Sequence, residues 1–159
     1  MTSLNVVSPE VEDLFFGPVA RCADFERASS LGELRRVLER RLAASPTPRT
    51  LDLIGHSTRD HNLLRLGDTA VDMLDLGVAR FFRDLAAEGL LPRLGITAVR
   101  LLACETAVTA AGRRTLRLLA RTLALPVFGT TRPLMKSHYD RYGFAPAFAA
   151  VLVEASNLG

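Results

Sequence analysis

The feature that most limits what this chain can fold into is an alternation. Short apolar, β-capable runs are separated by stretches whose leucines recur at helical spacing. TLDLI (50–54) reads as a buried strand closed by Gly55, AVRLLA (98–103) as a second, and PVFGT supplies a third at 127–129. Leu31, Leu34, Leu38 and Leu42, with Arg35, Arg36, Glu39 and Arg40 on the outer face, predict an amphipathic helix ending before SPTP. Asp75 can cap a second helix through Phe82 and Leu85 to Gly89. Thr106 or Thr109 can cap a third through Leu116, Leu119 and Leu123, stopped by Pro126. Between strand 50–54 and the second helix, LLRLG and TAVDM flank Gly67 and Asp68 with the chemistry of a hairpin. LNVV (4–7) is long enough only for an edge strand or a first core strand, and 147–155 reads as a last apolar helix. Strands alternating with helices predict an α/β sandwich with a mainly parallel sheet, in which strands 50–54, 98–103 and 127–129 are neighbours.

At 159 residues and 48% hydrophobic content, the chain is expected to form one domain, 1–159, around one core. Its longest apolar stretches, such as FAPAFAAVLV, fall short of the roughly 18 residues that span a bilayer. The opening MTSLNVVSPEVED carries acidic residues where a signal peptide would carry positive charge, so a soluble cytoplasmic protein is expected. Two cysteines, Cys22 and Cys104, imply no disulfide framework and leave at least one thiol free. A net charge of +3 with the arginines spread along helices does not favour nucleic-acid binding.

Sites in open α/β sheets lie at the carboxyl ends of strands, and His56 and Cys104 fall on two such ends. The decapeptide LDLIGHSTRD has two parses. Read as G-H-S, it offers Ser57 as the nucleophile of a serine hydrolase, with His138 and an acid such as Asp84 completing a triad. That parse needs G-x-S-x-G opening a helix, whereas the fifth position is Arg59 and a hairpin-like segment follows. Read as an apolar strand ending in His56, the decapeptide supplies a base that can generate the thiolate of Cys104. The 48 positions from His56 to Cys104 fit a hairpin, a helix and a return strand. His61 and His138 read as surface-loop residues. A zinc site from Cys104, His56 and His61 is the remaining alternative, but no ligand pair has structural-zinc spacing, so no metal and no cofactor is expected.

The motifs LDLIGHS and VRLLACET resemble those of the caspase-like cysteine peptidases of clan CD, which include caspases, gingipains, separase and the bacterial CHAT and self-processing toxin peptidases. GDTAVDMLDL and the stretch after the cysteine also resemble a bacterial branch of that superfamily, and the resemblance spans about 50–130. It implies a three-layer caspase-like sandwich and a peptide or protein substrate. In it His56 is the general base, Cys104 the nucleophile, and the amides of Ser57 and Cys104 stabilise the oxyanion. Two positions depart from the pattern. Ser57 replaces a usual glycine, which is harmless if its φ is negative. Leu102 stands where caspases carry a glutamine that binds a substrate aspartate. The loop GTTRPLMKSHYD is expected to wall the cleft. Glu105 and Arg132 are the expected substrate contacts, Arg132 pairing with an acidic side chain, with Asp140 and a basic one as the converse. A catalytically silent member that binds a partner is the alternative from another class.

Overall fold

A computed structural model describes residues 2–11, 25–44 and 49–158, so Cys22 lies outside the described residues. Strand β1 (Thr2–Val7) runs into the short turn α1 (Pro9–Val11), and β2 (Phe25–Arg27) into α2 (Leu31–Ala43). Strand β3 (Arg49–Ile54) is followed by the hairpin β4 (Arg65–Leu66) and β5 (Thr69–Ala70), then α3 (Leu76–Glu88) and α4 (Leu90–Arg93). Next come β6 (Ile96–Leu102), α5 (Ala110–Leu123) and β7 (Val127–Thr130). A second hairpin, β8 (Tyr139–Asp140) and β9 (Gly143–Phe144), precedes β10 (Leu152–Glu154).

The expected helices start where a side chain can accept the first free amides. Ser30 accepts from Glu33, Asp75 from Gly77 and Val78, and Thr109, not Thr106, from Gly112. Strands β3, β6 and β7 are the expected parallel neighbours in a six-stranded sheet of order β10-β7-β6-β3-β1-β2, parallel except for β10. The chain is therefore α/β, with a mainly parallel central sheet flanked by helices, consistent with a three-layer sandwich. Strand β1 is interior, between β3 and β2, because Leu4 to Val7 bury both faces.

Alternation along the strands sorts the apolar side chains onto two faces. Leu4, Val6, Leu51, Leu53, Val99 and Leu101 pack against Leu34 and Leu38 of α2, Phe82 and Leu85 of α3, and Leu116 and Leu119 of α5. Each such leucine, fully buried, contributes roughly 1.5–3 kcal/mol relative to exposure. On the opposite face Val7, Ile54 and Leu102 pack with Val11, Leu134, Phe144 and the half-buried Cys104 and Tyr139.

That second face also carries a polar row, since Asn5, Asp52 and Arg100 are register partners across β1, β3 and β6. Arg100 grips the fully buried Asp52 in a bidentate pair, its Nε donating to Oδ1 at 2.7 Å and its Nη2 to Oδ2. Thr50 donates to the same carboxylate at 3.0 Å, and Arg100 lies over the Phe144 ring at 5.5 Å. Asn5 donates to the Tyr142 carbonyl at 3.1 Å, and Gly143, at φ +118°, approaches so closely that a Cβ would stand 2.5 Å from the Asn5 Oδ1. The β8–β9 hairpin is thereby clamped over the sheet.

One expected element is corrected. Residues 147–155 are not a helix: a 3-10 turn at Pro146–Val151 leads into β10, and a second 3-10 turn follows at Ala155–Asn157. An apolar run has no period that separates strand from helix. Here the open edge of β7 takes Leu152, Val153 and Glu154 in antiparallel register with Thr130, Gly129 and Phe128. No helix among the described residues is long and apolar enough to cross a membrane.

Candidate active site

Ile54 and Leu102 are register partners at the carboxyl ends of β3 and β6, and His56 and Cys104 each stand two residues beyond them. Parallel strands run about 4.8 Å apart, so level ends carry the two side chains to adjoining positions. Both line a cleft of about 650 Å3 together with Ser57, Thr58, Arg59 and Arg65.

The chain around His56 is set by a close approach. Gly55 donates to the Leu102 carbonyl at 3.3 Å, and a Cβ on Gly55 would stand 2.1 Å from the carbonyl oxygen of Arg65. Arg65 donates to the His56 carbonyl at 2.8 Å and Thr58 to Leu63 at 2.7 Å. Ser57 and Leu64 face each other between those two bonds, so the Ser57 N–H takes no backbone acceptor there. Its φ is negative, which removes the need for a glycine at this position.

The turn after β6 is fixed by hydroxyls. Thr106 donates to the Leu101 carbonyl at 3.2 Å, Thr130 donates to the Ala103 carbonyl at 2.5 Å, and the amide of each threonine donates to the other's hydroxyl. The Ser57 hydroxyl donates to the Cys104 carbonyl at 2.5 Å, joining the two strand ends directly. Glu105, at φ 56°, holds a left-handed conformation that a side chain seldom adopts. The Cys104 sulfur accepts from the Leu134 N–H at 3.3 Å and lies 3.8 Å from the Leu134 carbonyl, its acceptor as a thiol. No hydrogen bond joins it to the imidazole among the described residues, and the Cys104 N–H, like that of Ser57, makes none. Burial, then the negative charge of Asp52, pushes the neighbouring Tyr139 phenol far above its ordinary range, so it stays neutral.

The loop after β7 does reach the thiol, through Leu134. Arg132 is exposed, and its carbonyl accepts from the Glu105 N–H at 3.3 Å; neither side chain is among those lining the cleft. Leu102, fully buried, presents nothing to a substrate. The serine parse finds no triad. Asp84 is exposed on α3, across the sheet, while His138 accepts from the Met135 N–H and packs on Phe148 at 4.8 Å. His61 is an exposed loop residue whose carbonyl accepts from Thr109. Among the described residues no group of three or more His, Cys, Asp or Glu is arranged to hold a metal ion. Sequence reasoning missed Arg65 and the paired threonines. Arg65 had a signal in the alternation Leu64-Arg65-Leu66, whose leucines are 1% and 0% exposed and leave the arginine to face outward.

Comparison with protein-family models, with curated proteins and with solved structures finds no match for this chain.

Proposed function

We propose that the chain is a caspase-like cysteine peptidase that cleaves peptide bonds through Cys104 and His56. What carries this reading is the meeting, in one cleft, of a half-buried thiol, an imidazole, and two backbone amides at level strand ends, the imidazole and both amides without a hydrogen-bond partner among the described residues. His56 takes the thiol proton, and the Cys104 thiolate attacks the scissile carbonyl carbon. The oxyanion is met by the amides of Ser57 and Cys104. The C–N bond then breaks as imidazolium returns the proton to the leaving amine, and water, deprotonated by His56, hydrolyses the thioester to free acid and thiol. The Leu134 N–H, bonded to the sulfur at 3.3 Å, fixes the position of that sulfur at the cleft. A reducing cytoplasm, which keeps the thiol free, suits this chemistry. No metal or cofactor enters the scheme.

The serine reading is disfavoured by the Ser57 hydroxyl itself, which donates to a carbonyl instead of an imidazole. A silent binding module is the second reading, favoured by the sulfur's own bonds, which tie it to Leu134 with no hydrogen bond to the imidazole among the described residues. The test is a peptide library incubated with the full chain and read by mass spectrometry. Cleavage that Cys104→Ala abolishes, with iodoacetamide alkylation of Cys104 at pH 7 slowed by His56→Ala, is the expected result. An intact library, with alkylation indifferent to His56, selects the binding module.

A further inference from the structure

The turn from β5 into α3 leaves apolar surface uncovered. Leu76, the first residue of α3, is 81% exposed, more than any other large hydrophobic residue among those described, and Leu74 is 55% exposed. Beside them a groove of about 430 Å3 opens between the start of α2 and the start of α3. Leu31, Ala70 and Val78 supply its apolar surface and Asp68, Asp72 and Asp75 its charge, with no basic residue lining it. Asp72 accepts the Leu74 amide at 2.9 Å and Asp75 those of Gly77 and Val78. Among the described residues no ion pair reaches any of the three carboxylates.

The complementary charge lies next to this groove. The Met73 N–H donates to the buried Thr115 hydroxyl at 3.1 Å, which bonds the turn to α5 and leaves the chain neighbours Leu74 and Arg114 both exposed. Helices α3 and α5 pack side by side, with Arg80, Arg83, Arg114 and Arg121 exposed. None of these four has a carboxylate partner among the described residues. The acidic residues of the two helices are Asp84 and Glu88, and Glu88 is paired with Arg35.

We propose that this face is a self-association surface, on which the groove and exposed leucines of one copy of the chain receive the α3 and α5 arginines of a second copy, and the reverse. The charges select a second copy as the occupant. An acidic end and an arginine face segregated on one surface each attract the other's counterpart, so the surface is complementary to itself and a two-fold pair makes the contact twice. An arginine also carries a hydrocarbon stem that can lie on Leu74 or Leu76 while its guanidinium reaches a carboxylate, so one side chain satisfies both features of the groove. The contact uses neither Cys104 nor His56 and stands whether or not the chain is a peptidase.

The test is sedimentation of the full chain at about 5 µM and about 100 µM in low salt, repeated in about 1 M salt, where the screening length falls to about 3 Å. The expected result is a dimer at the higher concentration in low salt that dissociates in high salt, with backbone amides of 68–80 exchanging more slowly in the dimer than in the monomer. Leu76→Ser, and separately Arg80→Glu combined with Arg114→Glu, should each weaken the dimer about tenfold or more. Mixing that doubly reversed chain with Asp68→Lys should restore part of the pairing, which mixing two misfolded chains would not do. The salt and exchange results on the unaltered chain decide the matter even if a variant fails to fold. A monomer at the higher concentration in low salt overturns the proposal, and so does a dimer indifferent to salt and to these substitutions, which uses another face. A monomer whose amides at 68–80 slow when a synthetic peptide of arginines and leucines is added gives the groove to a foreign basic segment, and self-association is overturned by that outcome as well.

Discussion

Ser57 and Cys104 lie 47 positions apart and are joined by one hydrogen bond, so the two strand ends of the cleft report on each other. The hydroxyl orients a loop, and the attacking atom in the proposed reaction is the sulfur. Ser57→Ala should therefore cost about 0.5–1.5 kcal/mol of stability, the value of one intramolecular hydrogen bond, and reduce turnover by roughly tenfold at most. Cys104→Ala should cost several orders of magnitude. Urea titration of both variants beside a turnover assay checks the contrast, and a dead Ser57→Ala with an active Cys104→Ala would reverse the assignment. Next to the nucleophile, Glu105 holds a positive φ that a residue with a Cβ adopts at a cost, a strain of the kind that clusters at functional positions.

The hairpin β4–β5 delivers Arg65 to the cleft only because Gly55 lets the two backbones touch. Gly55→Ala should push the Arg65 carbonyl away and destabilise the fold by about 1–3 kcal/mol, as overpacking does, visible as a lower urea midpoint at unchanged slope. Helices α2 and α3 are linked by the ion pair between Arg35 and Glu88, with a contact at 2.6 Å. The hydrogen bond from Arg35 holds the Glu88 carboxyl below its ordinary value, so its contribution is present above the unfolded pKa and fades as pH falls through the lower folded one. Glu88→Gln should flatten this small acid-side slope of stability, measurable by denaturation from pH 7 to 3, and should do so less at high salt because the pair is exposed.

Across the whole molecule, the row Asn5, Asp52, Arg100 decides what covers the second face of the sheet. Asp52 is completely buried, and its charge is tolerated because Arg100 and Thr50 saturate it. Asp52→Ala strands the guanidinium beneath Phe144 and should cost about 3–5 kcal/mol, with faster amide exchange across β8 and β9 than in the parent chain. A loss confined to a few tenths of a kcal/mol would mean that the clamp does not depend on this pair. Leu134, which bonds the thiol, lies just before that hairpin, so loosening it should also slow peptide turnover.

Local pattern carried the main elements. Apolar residues at helical spacing marked the three long helices, Asp75 was legible as a cap while Thr106 and Thr109 stayed equivalent until the structure chose Thr109, and closed apolar runs marked β3, β6 and β7. These signals lie within a turn or two of chain, where propensity and periodicity act. The positions of His56 and Cys104 at two strand ends were legible for the same reason. What a neighbouring segment offers is not written locally. Strand β1 became interior because β2 took its outer edge, and the apolar tail became β10 because the edge of β7 was open. Arg65 entered the cleft because a hairpin folded back onto a glycine ten residues earlier. The sequence by itself determined the three long helices, strands β3, β6 and β7, and which residues stood at the ends of β3 and β6. Only the tertiary structure decided which edges paired and which side chains shared the cleft, since backbone bonds and close contacts between distant residues depend on what the rest of the chain leaves unsatisfied.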